Sequence, residues 1–425
     1  MTAEPPEVIE RIPADFLSDP YGLFERLRSR GGVCQVVMPH GAKVWMVTRY
    51  EDVRTLLSDP RISKDGRRMD EMYVRHSGAT VGDSESVTTG FDEILSSHML
   101  NADPPLHTHL RATLSKAFTP AAIRRLAPHT ERVVDELLDA MDGTSAVDLI
   151  RAFAVPLPLI MICEIFGIPE ADRHDIERWS TSLIGSGHPA GEVAEAGQKF
   201  TEYANAIIED RRTHPGDDLI SDLLRVSEDD PARLSHDEMV ANIFVVLAAG
   251  LDTPMRQLGV AVYTLLTHPD ALAELRADPS LIPAAVDELM RFDGTVATAS
   301  FRFAVADITL GDVTIPAGEM VLLSLASANR DGTQFDHPDQ LDLHRDQIGN
   351  LSLGHGHHYC IGAHLAKQEL RIGLARLITR YPDLRLAVEP HELRWESGNL
   401  LRCLIELPVL LTAADRPREP GAVER

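Results

Sequence analysis

Cysteine is scarce: four residues in 425 (Cys34, Cys163, Cys360 and Cys403), none in a Cys-x-x-Cys pair. That excludes a disulfide scaffold or a zinc-ribbon module, leaves too few thiolates for an iron–sulfur domain, and fits a reducing cytoplasm. Positive charge is also short. Lys and Arg number 41 against 65 Asp and Glu, a net charge of −24. Such a surplus excludes a nucleic-acid backbone or an anionic membrane surface as partner. Long apolar runs are missing too. The longest, near Val155–Ile168 and Ile243–Leu251, read as too short or too interrupted to span a bilayer. The opening MTAEPPEVIE is acidic and proline-bearing, unlike a signal peptide. No repeat or low-complexity tract occurs. A protein of the cytoplasm, with 44% hydrophobic residues and a large interior, is expected.

What is present is mostly helical. Spacing predicts helices over Tyr21–Arg30, Pro105–Phe118, Ala121–Met141 and Ala194–Arg212. A capping box, Ser235 followed by Glu238, opens a long buried helix through Val240–Leu251 and Leu258–Leu266. Period-two patterning predicts strands at 43–49, hairpins over 301–326, and short strands over 384–411. Between them, Ile361–Tyr381 reads as a helix. The stretch Arg61–Leu100 is irregular and long for a loop, which suits a lid or a disordered segment. The expected class is mainly α with a smaller, mostly antiparallel β region, as a single domain over 1–425.

The densest chemistry lies between Leu353 and Gly362. Gly354 and Gly356 let the backbone turn tightly against a flat ligand. Cys360 precedes a helix whose dipole would favour a thiolate, a metal ligand or nucleophile. A lone cysteine is more often simple packing, but packing does not need the surrounding glycines. A rival reading is a zinc or nickel tract of His355, His357, His358, Cys360 and His364. Against it, adjacent histidines diverge and only one sulfur is supplied.

Gly354, Gly356, His358, Cys360, Gly362, Leu365 and Ala366, at their spacing, resemble the haem-binding loop of the cytochrome P450 family of haem-thiolate monooxygenases. The resemblance makes Cys360 the axial ligand of haem b (iron protoporphyrin IX) and sets His358 against a propionate. Leu353 stands where the family usually has Phe, which would still shield the sulfur but retune its electronics.

Three further stretches extend the resemblance. Glu288 and Arg291 match the family's Glu-x-x-Arg, a spacing that recurs at four other places here and gains meaning only from its position. Arg345 would complete a buried structural network with them. In the long helix, Ala249, Gly250, Leu251, Asp252 and Thr253 match the oxygen-activation pattern. Thr253 would steady dioxygen and Asp252 relay protons, with Ala249 and Gly250 against the cofactor. Pro254 replaces the usual Thr or Ser. Lacking an N–H, it is expected to free the Gly250 carbonyl, push Thr253 out of α geometry and hold the helix open. After Asp103-Pro-Pro, His107 and Arg111 share one helix face and match the propionate-binding pair. His109 replaces a common Arg, and Arg302 matches the strand arginine for the other propionate. The resemblance covers essentially the whole chain, including Pro20-Tyr21 near its start, with the motif matches spread from Asp103 to Ala366.

The implied fold is the triangular, α-rich one of soluble bacterial, actinomycete-type biosynthetic enzymes, and a monomer. The implied activity is hydroxylation or epoxidation of a hydrophobic natural product with O2, using electrons from a separate ferredoxin and ferredoxin reductase. Lys116, Arg124, Arg125 and Lys367 are the candidate docking cations. Arg61–Leu100, Trp179–His188, Val245–Ala249, Thr295–Ala299 and Asn399–Leu401 would line the substrate pocket. A haem sensor without turnover, and a catalyst that uses peroxide or rearranges its substrate, are the alternatives.

Overall fold

A computed structural model describes residues 10–39, 41–66, 93–184, 189–226, 230, 233–346, 348–396 and 401–411. The long helix is its axis. It runs His236–Thr267, 32 residues, from the expected capping box: Ser235 Oγ accepts the Glu238 N–H (3.2 Å), and Glu238 Oε2 accepts the Ser235 N–H (2.8 Å). By length and hydropathy this helix could cross a bilayer, contrary to the reading from apolar runs. However, 67% of its most apolar window is buried inside the protein, which makes it a core helix.

Two cores meet along it. Ile243, Phe244, Leu247 and Leu251 pack with Phe200, Ile208 and Ile176 from helices Ala190–Thr213 and Arg173–Ile184. Further on, Leu258, Ala261, Val262 and Leu265 pack with Leu289 of helix Ile282–Phe292 and Leu374 of helix Ala363–Arg380. Helix Pro156–Ile165 crosses beneath Gly250, where an added Cβ would lie 3.0 Å from Ile162 Cδ1. The missing side chain at Gly250 sets that close approach.

The expected break at Pro254 is not seen. The helix is continuous through Asp252, Thr253 and Pro254. Packing on both sides outweighs the local preference of a pre-proline residue. Thr253 Oγ1 also donates to the Ala249 carbonyl (2.8 Å), bracing the turn just before the proline.

The expected strands form, but in a mixed sheet. Its order is Glu10–Arg11, Val33–Val37, Lys43–Val47, Met320–Leu323, Arg302–Ala304, Ile62–Ser63. Two of the five pairings, Glu10–Arg11 with Val33–Val37 and Lys43–Val47 with Met320–Leu323, are parallel rather than antiparallel. Ser63 opposes Phe303, so the sheet edge sets Lys64 next to the strand that carries Arg302. A hairpin turns at Gly311 (φ +57°), where the sequence placed one. Arg385–Leu386 and Pro408–Leu410 form a second small sheet with Ala146–Asp148.

Candidate functional site

The long helix, the glycine- and histidine-rich loop, helix Leu106–Leu114 and the Arg302 strand enclose one cavity of about 270 Å3. Ala249, Gly250, Thr253 and Pro254 form one wall; Leu353, Gly354, His358, Cys360 and Gly362 form the opposite one. His107, Arg111 and Arg302 close a polar end. Larger depressions, of about 700 and 740 Å3, lie in polar surface around Arg345 and Arg233 and gather none of this chemistry.

The cysteine loop is built as its glycines require. Gly354 and Gly356 have φ of +76° and +73°. At Gly356 an added Cβ would also lie 3.0 Å from the Leu57 carbonyl. The Cys360 N–H donates to the Leu353 carbonyl (2.9 Å), and helix Ala363–Arg380 starts just beyond. Cys360 is partly accessible because it faces the cavity, yet it sits deep in the chain. Burial therefore raises its thiol pKa, against the pull of the Gly362 N–H and the Arg111 charge. The helix terminus alone therefore does not offset burial, whereas a bound cation would favour the thiolate.

At the polar end, Arg111 Nη2 donates to the Tyr359 carbonyl (2.5 Å), and Arg302 Nη1 donates to the Ser300 carbonyl (2.7 Å). Burial lowers the Arg302 pKa to about 10 and that of His107 to about 4, and depresses His358 strongly. The Nε2 atoms of His107 and His358 are buried without a partner. Their rings lie 4.3 Å apart. Orphaned donors and buried cations facing a cavity are the signature of a site built for an anion that is part of a ligand. A flat, iron-bearing group with peripheral carboxylates fits these residues: a sulfur and glycines on one face, small residues on the other, cations at one edge. The rival metal tract is only partly assembled. Asp103, His357 and His358 place ligand atoms within 4.8 Å of one another, but Cys360 stands outside that group.

Asp252 does not line the cavity. It is 2% exposed, with Oδ1 accepting from Arg256 Nε (2.9 Å). Its Oδ2 is buried and unpartnered. Arg256 Nη1 donates to Glu396 Oε2 (2.6 Å) and touches Cys403 Sγ. Burial raises the Asp252 pKa in spite of Arg256. Burial also works against the Arg256 charge, but the acids around it, Asp252 foremost, prevail and keep it cationic.

Glu288, Arg291 and Arg345 do come together. Arg291 Nε and Nη2 reach the two Glu288 oxygens at 2.7 and 2.8 Å, with neither side chain exposed. Arg345 Nε adds a bond to Glu288 Oε1 (3.1 Å). Arg291 also donates to the Asn329 and Pro338 carbonyls, and Arg345 to those of Asp336 and His337. The three residues staple the segment 329–342 to helix Ile282–Phe292.

Of the expected pocket wall, Leu100, Val245, Val246, Val296 and Ala299 line the cavity. Trp179 does not; it packs on Tyr203, ring centroids 5.8 Å apart. Residues 67–92, 185–188 and 399–400 of that wall lie outside the described residues. Of the docking cations, Lys116, Arg124 and Arg125 are exposed, whereas Lys367 is engaged by Asp287 at 2.5 Å. Sequence reasoning missed Lys64, Ser300, Arg256 and Glu369. Only Arg256 left a signal, its i,i+4 spacing from Asp252.

The family model described as Cytochrome P450 matches residues 174–387. The chain is 41% identical over 408 residues to Cytochrome P450 107B1 of Saccharopolyspora erythraea, covering 96% of this chain and 98% of that one. It is 38% identical to Cytochrome P450 monooxygenase PikC of Streptomyces venezuelae, over 96% and 95% of the two chains. The solved structure of the tirandamycin C-bound P450 monooxygenase TamI superposes with a TM-score of 0.86 at 38% identity, covering 95% of this chain and all of that one.

Proposed function

The chain belongs to the cytochrome P450 family, and from that premise we propose that it oxidises a hydrophobic natural product of polyketide or macrolide type, by hydroxylation or epoxidation. Membership makes it a monooxygenase whose cofactor is haem b held by a cysteine thiolate. Cys360 is the proposed ligand, because it is the cysteine that lines the cavity opposite Thr253. His107, Arg111, Arg302 and His358 would hold the propionates. Gly354, Gly356 and Gly362 shape the loop, and the small Ala249 and Gly250 leave room for the flat group. When bound, the haem supplies dioxygen activation and oxygen transfer to carbon.

The chain's own residues then orient and protonate. Thr253 presents its hydroxyl at the cavity wall, its proton parked on the Ala249 carbonyl. Asp252, the next residue back, is the proton carrier of this reading: Arg256 holds Oδ1, and Oδ2, engaged by no other group, exchanges a proton with the cavity when the side chain turns toward Thr253. The Glu288, Arg291 and Arg345 network is structural. Two electrons come from a separate ferredoxin and its reductase, docking near exposed Lys116, Arg124 and Arg125. Reaction in the cytoplasm, by a monomeric single domain spanning 1–425, completes the reading.

The observation that carries the substrate class is the cavity wall, where Met99, Leu100, Val245, Val246, Val296 and Ala299 leave few polar positions. The TamI relative was solved with tirandamycin C. A spin-state titration of the ferric protein against macrolactones, linear polyketides and fatty acids tests it. At least one polyketide should shift the iron to high spin at micromolar concentration. Response to fatty acids alone would reject the class.

A further inference from the structure

Lys64 follows strand Ile62–Ser63 and is 1% exposed. Its backbone N–H donates to Asp103 Oδ1 (3.0 Å), while the Ser63 hydroxyl takes Asp103 Oδ2. Its ammonium is bonded to the neutral Ser300 Oγ, and Asp103, whose charge acts on it, makes no direct ion pair with it among the described residues. Ser300 lines the cavity, and its carbonyl already holds Arg302. A buried ammonium whose partner is a neutral hydroxyl is costly. Burial, and then the Arg302 charge, push the Lys64 pKa well down. Lys64 is not itself a lining residue of the cavity; it stands directly behind Ser300, beside the strand that carries Arg302.

The charges there do not balance. With Lys64 protonated, three cations, Arg111, Arg302 and Lys64, stand with one anion, Asp103, an excess of two positive charges. A haem brings two propionates to that edge. We propose that Lys64, presented by Ser300, is a third cationic arm of the haem cradle and donates to a propionate. Its position outside the Cys360 loop, the His107 helix and the Arg302 strand explains why no motif revealed it. This inference rests on the haem reading above.

The test crosses the protein change with a cofactor change. Wild type, Lys64→Met and Lys64→Arg are each loaded with haem b or with haem dimethyl ester, whose carboxylates are blocked, and cofactor transfer to excess apomyoglobin is timed. Lys64→Met should release haem b about tenfold faster than wild type, the scale of one charge-assisted bond, and Lys64→Arg should restore most of it. With the diester, wild type and Lys64→Met should release alike. Equal release of haem b overturns the assignment, and so does a difference that persists undiminished with the diester, which would mark a packing role. Unchanged release with weaker binding of carboxylate-bearing ligands would move Lys64 to the substrate and equally overturn it. If Lys64→Met does not fold, Lys64→Gln, able to keep the Ser300 bond, repeats the comparison. Failure of the haem reading itself is distinguishable, because wild type would then take up no haem.

Discussion

Arg256 grips Asp252 from one turn further along the same helix, Nε to Oδ1 at 2.9 Å, with both side chains almost wholly buried. Asp252 precedes Thr253 directly, so the acid proposed for proton delivery is held by a cation of its own helix. Glu396, with its side chain 46% exposed, shares that cation.

Removing one partner of a buried ion pair strands the other. Arg256→Ala is expected to destabilise the protein by about 3 kcal/mol or more, seen as a lower denaturant midpoint. Asp252→Asn in the same chain should recover part of that loss, because the stranded charge goes with it. A purely additive double mutant would contradict the coupling.

Thr253→Ala and Thr253→Val should both consume NADH, through a surrogate ferredoxin system, while product per NADH falls about tenfold or more. Thr253→Ser, which keeps the hydroxyl, should remain coupled. Full coupling in the Val variant would remove Thr253 from the proton path.

Glu369, on the helix after Cys360, is 2% exposed, and neither carboxyl oxygen has a partner. Burial raises its pKa from 4.5 to about 8. The folded state therefore keeps a proton that the unfolded chain releases. Stability from this group is complete below pH 4.5 and is lost as pH rises to about 8. The gap amounts to about 5 kcal/mol. Glu369→Gln should flatten that decline, and the variant should overtake wild type in urea unfolding at pH 8. Parallel stability curves for the two proteins would contradict the raised pKa.

Where residues act through neighbours in sequence, the reading from the chain alone succeeded. The Ser235–Glu238 capping box, the positive-φ glycines around Cys360 and the i,i+4 pair of His107 and Arg111 are all local. Pro254 misled because its preference is local but the packing of Ile162 and the two flanking cores is not. The parallel pairings of Glu10–Arg11 with Val33–Val37 and of Lys43–Val47 with Met320–Leu323 depend on register between distant segments. Lys64 was invisible for the same reason: its meaning comes from Ser300 and Arg302, more than 230 positions away. In sequence it stands in a polar stretch and reads as an ordinary surface lysine.

The central claim is that Cys360 is the thiolate ligand of a haem. The most direct measurement is the absorption spectrum of the dithionite-reduced, carbon-monoxide-bound protein, wild type beside Cys360→Ser. Wild type should show the red-shifted Soret band that only thiolate ligation gives, and Cys360→Ser should lose it. A wild-type spectrum of the imidazole-ligated kind, or a red-shifted band that survives in Cys360→Ser, would contradict the account.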